Sequence, residues 1–142
     1  MHTIRIYTAS DRAEWGRMRT TFWPDQVEAD MDDWLSRADA VVLVAERDGG
    51  GLCGFAEVGA RRYADGCLTS PVAYLEGWYV DADARDRGVG SALVEAAFDW
   101  ARAQGYTEMA SDVLLDNLGS QRAHLGLGFE EVERAIHYRR DL

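Results

Sequence analysis

The sequence predicts an α/β domain of the α+β kind, a mixed sheet flanked by helices, and three observations lead there. Short β-rich runs and amphipathic runs follow one another in the order β-α-α-β-β-β-α-β-α-β-β. A glycine turn, "RDRGVGSAL" over residues 85–93, joins a strand-like run to the clearest helix of the chain. With 142 residues, 47% of them hydrophobic, and only two prolines, the chain can bury a core without covalent or metal staples. One domain over 1–142 is expected.

The elements follow in order. "TIRIY" (3–7) alternates as an opening strand does. "DRAEWGRMRTTFW" (11–23) spaces Trp15, Met18, Arg19 and Phe22 at helical intervals, and Pro24 closes it. "DQVEADMDDWLSRA" (25–38) places Val27, Met31, Trp34 and Leu35 on one face with acid on the other. "VVLVAERDGGGLCGFAEVGARRY" (41–63) reads as a hairpin around "DGGG", followed by a loop and the strand "AYLEGWYV" (73–80). After the glycine turn, Val89, Ala92, Leu93, Ala96, Ala97, Trp100 and Ala101 form one apolar stripe, with Gly105 at the C-terminal cap position. "EMASDV" (108–113) is a further strand, "LGSQRAHLGL" (118–127) a short helix, and "FEEVERAIHYRR" (129–140) is expected to supply closing strands.

Charge narrows the function. Fifteen basic against twenty-five acidic residues leave a net charge of −10. Nucleic acid and anionic membranes favour basic surfaces, so neither is an expected partner. Asp25, Glu28, Asp30, Asp32, Asp33 and Asp39 are concentrated in one stretch with Arg37 as its only base. They form either a solvated helix face or a field that attracts a cationic substrate. Cys53 and Cys67 have no metal-ligand spacing, no metal site is expected, and the N-terminus carries no apolar signal region. A cytoplasmic protein with reduced thiols is the expectation.

The glycine turn has the chemistry of a phosphate cradle: small residues expose backbone N–H groups, the helix N-terminus adds partial positive charge, and Arg85 and Arg87 add full charges. A P-loop requires lysine after its last glycine, whereas Gly90 is followed by Ser91. A dinucleotide fingerprint requires a third glycine where this chain has Leu93. The pattern Arg85-x-x-Gly88-x-Gly90, between a strand and an amphipathic helix, resembles instead the pyrophosphate loop of the GCN5-related N-acetyltransferases (GNAT). "Asn117-x-x-Ser120-x-x-x-His124-x-x-x-Gly128-Phe129" has the shape of that superfamily's second half, with histidine where many members carry tyrosine.

The resemblance is closer still. "TTFWPD" (20–25), "YADGCLTSPVAYLEGWYV" (63–80), "EMASDV" (108–113) and "LGFEEVERAIHYRR" (127–140) together resemble aminoglycoside 6′-N-acetyltransferases over nearly the whole chain. It implies a GNAT fold, a mostly antiparallel sheet with splayed central parallel strands, and acetyl transfer from acetyl-coenzyme A to the drug's 6′-amine. It implies a cofactor site of Trp78, Tyr79, Val80, Arg85, Asp86, Arg87, Gly88, Val89, Gly90, Ser91 and Asn117. Glu76 would hold or deprotonate the amine, Asp112 would bind another ammonium of the drug, Trp23 and Tyr63 would wall the sugar rings, and Glu133 would supply a further carboxylate. Tyr138, with His124 or solvent as alternatives, would protonate the leaving thiolate. A homodimer with C-terminal strands near its interface is also implied.

Residue chemistry agrees at one point independently of family. A carboxylate in the otherwise apolar run "AYLEGWYV" is costly without purpose, which singles out Glu76. Asp112 could equally cap a loop, and Trp23 could be core rather than wall. Rival readings are an acetyltransferase for another polyamine or a peptide amine, a non-catalytic coenzyme A-binding module, and an acidic interaction domain.

Overall fold

The computed structural model describes residues 2–142. Its sheet has five strands in chain order: β1 (Thr3–Ile6), β2 (Ala40–Glu46), β3 (Leu52–Arg61), β4 (Val72–Val80) and β5 (Met109–Ser111). Neighbours are antiparallel from β1 to β4, and β5 joins β4 in parallel. Helices α1 (Arg12–Phe22) and α2 (Glu28–Leu35) cover one face, and α3 (Val89–Ala103) covers the other. A short α4 (Leu118–Gly126) follows β5.

Period-two alternation divides the sheet between two cores. Val41, Leu43 and Ala45 of β2 pack toward α3, with Leu93, Val94 and Ala97 behind them. Val42 and Val44 face the other way, onto Trp15, Met18 and Met31 of α1 and α2. The α3 stripe is wider than the spacing indicated. Val94 is fully buried, and Phe98 packs against Phe129 beyond the helix.

Two expectations change. The acids of α2 are opposed by more than Arg37, because Arg12 of α1 reaches across to Glu28 and Asp32. The closing strands over 129–140 do not form: residues 129–142 carry no regular structure, with Val132, Ile136 and Tyr138 exposed. Strands need an edge to pair with, and within one chain this segment runs along none.

Candidate active site

The centre of the site is a defect in the β3–β4 ladder. Glu57 pairs with Gly77, but Val58 pairs with Leu75, so Glu76 is the unpaired extra residue of a bulge. A bulge shifts the alternation by one. Ala73 and Leu75 face α3 before it, whereas Trp78 and Val80 do so after it. Glu76 stands at the phase change, half-buried, and does not have to enter either core. The cost of a carboxylate in an apolar strand is thereby avoided.

At the same level β4 parts from β5. Their pairing covers Ala73 with Met109, Tyr74 with Ala110 and Leu75 with Ser111, then ends. Over residues 76–80 the edge of β4 that β5 would occupy is free, which is the splay between central parallel strands. Backbone groups there are available to an extended ligand.

Three side chains, Arg61, Tyr74 and Asp112, form a chain of contacts leading from Glu76. Arg61, the last residue of β3, donates from Nε and a terminal nitrogen to the two oxygens of Glu76, at 2.7 and 2.6 Å. Its guanidinium lies over the Tyr74 ring, 3.5 Å from the centroid. The Tyr74 hydroxyl donates a short hydrogen bond to Asp112, just beyond β5. Burial, with Asp112 next, pushes the Tyr74 phenol well above its ordinary pKa. Asp112 is therefore oriented by a neighbour rather than serving as a loop cap.

On the α1 side, Glu57 is buried and receives Trp15 Nε1 at 3.1 Å and Arg19 at 2.8 and 3.0 Å. Arg19 also stacks between the rings of Trp15 and Trp23. Trp23 in turn covers Gly77: a Cβ at that position would stand 2.6 Å from its ring, closer than real atoms approach. Trp23 is thus half-buried, packed against the bulge and the core on the α1 side.

The glycine turn leaves the end of β4 through a buried anchor. Asp81 accepts from Tyr79, from two nitrogens of Arg17 and from Arg47. Burial alone would raise its pKa, but these donors hold it below the ordinary carboxylate range. Past this clamp, Arg85 Nε donates to the Val80 carbonyl, and Asp86 and Gly88 both take positive φ, 61° and 84°. Aspartate tolerates the left-handed region and glycine enters it freely, so the chain turns sharply into α3. Gly90 lies against the Trp78 indole, whose Nε1 donates to its carbonyl at 3.0 Å. The N–H groups of Gly88, Val89, Gly90 and Ser91 make no hydrogen bond among the described residues. Arg85, Arg87 and Ser91 are exposed beside them. This donor set, with no acid in the first turn of α3, fits a pyrophosphate.

Asn117 caps α4, its Oδ1 accepting from the Ser120 N–H, which fixes the carboxamide while its amino group remains a donor. His124 packs between Trp78 and Phe129, and both ring nitrogens are engaged, one by the Ser120 carbonyl and one by Ser111. Tyr63 is 70% exposed and donates to Asp65, which with Glu133 nearby raises its pKa. Val132 crosses over Gly66, so the C-terminal segment passes this loop. Tyr138 is 89% exposed and shares no hydrogen bond with Glu76 or Asp112 among the described residues. The structure links Glu76 to Asp112 through Arg61 and Tyr74, sets Trp23 against Gly77 beside the bulge and starts the glycine turn from the end of β4, while Tyr138 joins none of these hydrogen bonds. A groove of about 810 Å³ runs along α1 past Arg12, Gly16 and Thr20 and includes none of these residues.

Sequence reasoning passed over Arg61, Tyr74 and Glu57. The signal for Glu57 and Arg61 was available: a second acid in the apolar run "LCGFAEVGAR", with an arginine ending it.

A splayed β4, free N–H groups at the start of α3 and a carboxylate raised on a bulge between them form the arrangement that the resemblance implies for an acetyltransferase. The acetyltransferase (GNAT) family model matches residues 9–129, and the chain belongs to that family. Within it, the aminoglycoside N(6′)-acetyltransferase type 1 of Klebsiella aerogenes is 43% identical, over 98% of this chain and 96% of its own length. The enzyme of the same description from Stenotrophomonas maltophilia is 39% identical, over 99% and 94%. Among solved structures, AAC(6′)-Iy in complex with the bisubstrate analogue CoA-S-monomethyl-acetylneamine superposes with a TM-score of 0.92 at 36% identity, covering 100% of this chain and 99% of that one. AAC(6′)-Ih from Acinetobacter baumannii gives 0.91 at 32% identity, with 100% and 99% covered. The fold class and the family resemblance read from the sequence are both borne out.

Proposed function

We propose that this chain transfers the acetyl group of acetyl-coenzyme A to the 6′-amine of aminoglycosides, by direct attack in a ternary complex, and so confers resistance to them. The observation that carries this is Glu76, raised on the β4 bulge where β4 leaves β5, with Asp112 beside it. Two carboxylates at the mouth of a coenzyme site suit a substrate with several ammonium groups, and the net charge of −10 steers it there.

An ammonium has no lone pair for attack on a thioester. Glu76 takes its proton, directly or through one water, as the amine approaches the carbonyl carbon. The tetrahedral oxyanion meets backbone N–H groups on the free edge of Trp78 to Val80. The pantetheine arm pairs with that edge as an added strand, Asn117 donating to it, while the turn from Arg85 to Ser91 holds the pyrophosphate. Asp112 binds a second ammonium, and Trp23, Tyr63 and Glu133 line the sugar rings. A thiol has an ordinary pKa of about 8.5, so the departing thiolate needs little acid help. Tyr138 is the candidate for it, and the engagement of both His124 nitrogens disfavours the histidine.

We also propose a homodimer. Support comes from the unpaired segment 129–142 with its exposed Val132, Ile136 and Tyr138, and from Leu114, Leu115 and Leu118 exposed beyond β5. Among the described residues no helix is long and apolar enough to cross a membrane. Free Cys53 and Cys67 support a reducing, cytoplasmic setting.

The test is thiol release from acetyl-coenzyme A with neomycin, which has an amine at the 6′ carbon, and paromomycin, which has a hydroxyl there. Turnover with neomycin alone is expected. Equal turnover would move the acetylated position, and no turnover with either would point to another polyamine or a peptide amine.

A further inference from the structure

Arg61 has no part in the chemistry just derived, yet it makes the most intimate contact of any residue with Glu76. Its guanidinium engages both carboxylate oxygens, at 2.7 and 2.6 Å, and rests flat on Tyr74, whose hydroxyl is tied to Asp112. A cation is thus already seated where the acceptor amine has to go. A carboxylate gripped by a two-pronged donor has one lone pair of each oxygen committed, so a substrate cation has to compete with the guanidinium for that face.

Two features make this cation removable. The Arg61 and Glu76 side chains are 43% and 22% exposed, so water can replace either partner as they separate. Arg61 is also the last residue of β3, followed by exposed Arg62, so its side chain can swing outward without disturbing the ladder.

We propose that Arg61 is a resident counter-ion occupying the acceptor-ammonium seat on Glu76, which the substrate's own ammonium displaces on binding. This rests on the function proposed above and deepens it: the amine that reacts is the group that competes with Arg61. A substrate with a hydroxyl at that position offers no cation to replace the guanidinium and leaves Arg61 in place. The contact keeps Glu76 paired while no substrate is present, and weakens substrate binding by what it costs to break.

The experiment compares wild type, Arg61→Ala and Arg61→Lys in steady-state turnover of neomycin, with neomycin and paromomycin affinities measured calorimetrically on the coenzyme A complex. For Arg61→Ala, the KM and Kd for neomycin fall about two- to fivefold, the range of a partly exposed ion pair, while kcat stays within about twofold. Paromomycin gains less, so the preference for neomycin widens. Arg61→Lys keeps a competing cation and lies between the other two. Arg61→Lys is also the informative variant should Arg61→Ala fail to fold, since an unchanged or higher KM there overturns the proposal. A neomycin KM that is unchanged or higher in Arg61→Ala, an equal gain for both drugs, or a tenfold fall in kcat would each overturn it, the last by making Arg61 a positioning residue. A wild type that binds neither drug removes the underlying function and this inference together, and is distinguishable because it appears before any substitution.

Discussion

Two arginine–glutamate pairs flank the same β-bulge and have the same two-pronged geometry, yet their surroundings give them opposite characters. Arg19 and Glu57 are 7% and 1% exposed, roofed by Trp15 and Trp23. Arg61 and Glu76, one strand over, are 43% and 22% exposed. Two charges taken from water cost several kcal/mol each unless fully paired, so the first pair is stable only as a unit. A half-exposed pair is worth at most about 1 kcal/mol, so the second can open in the course of a reaction. Burial, rather than residue type, separates a locked pair from one that can open.

The largest expected effect is on the lock. Arg19→Met leaves buried Glu57 without its cation, Trp15 being its remaining donor, and lowers stability by about 3–5 kcal/mol, measured by urea unfolding. A loss below 1 kcal/mol would show that the pair is no lock. Next comes Glu76→Gln, expected to lower turnover about a hundredfold or more while leaving coenzyme A affinity and the urea midpoint unchanged. Lost cofactor binding would instead place Glu76 in the wrong role.

Between the extremes stands Arg5 with Asp11, whose side chains are 32% and 8% exposed. The hydrogen bond from Arg5 lowers the Asp11 pKa to about 2, against partial burial that would raise it. A depressed carboxylate pKa gives stability that is complete above its unfolded value near 4 and lost as pH falls through about 2. Asp11→Asn should therefore flatten the acid limb of the stability curve between those values, by about 2 kcal/mol. An unchanged limb would contradict the pairing. The smallest effect is expected from Asp112→Ala, about a tenfold rise in KM for neomycin with kcat nearly constant. An enzyme for a simple monoamine would show no change.

How much of this was legible in advance depends on how local the signal is. The glycine turn could be read because its physics lies within a few residues: two glycines, two arginines and an amphipathic helix behind them. Glu76 could be read because a charge in an apolar run has to be explained. The closing strands over 129–140 could not, since alternation predicts a strand but not the edge it joins.

By itself, then, the sequence determined the order of elements as far as α4, the glycine turn, and two carboxylates, Glu57 and Glu76, set in apolar runs, because propensity, periodicity and the cost of burying charge act over short spans. Only the tertiary structure decided that Glu76 is the extra residue of a bulge, that Arg61 holds it from across the ladder, and that Glu57 rather than Glu76 is the buried partner of an arginine. Those facts depend on register between β3 and β4 and on which helix covers which face. Register is fixed by the summed packing of both cores, which no single stretch of the chain contains.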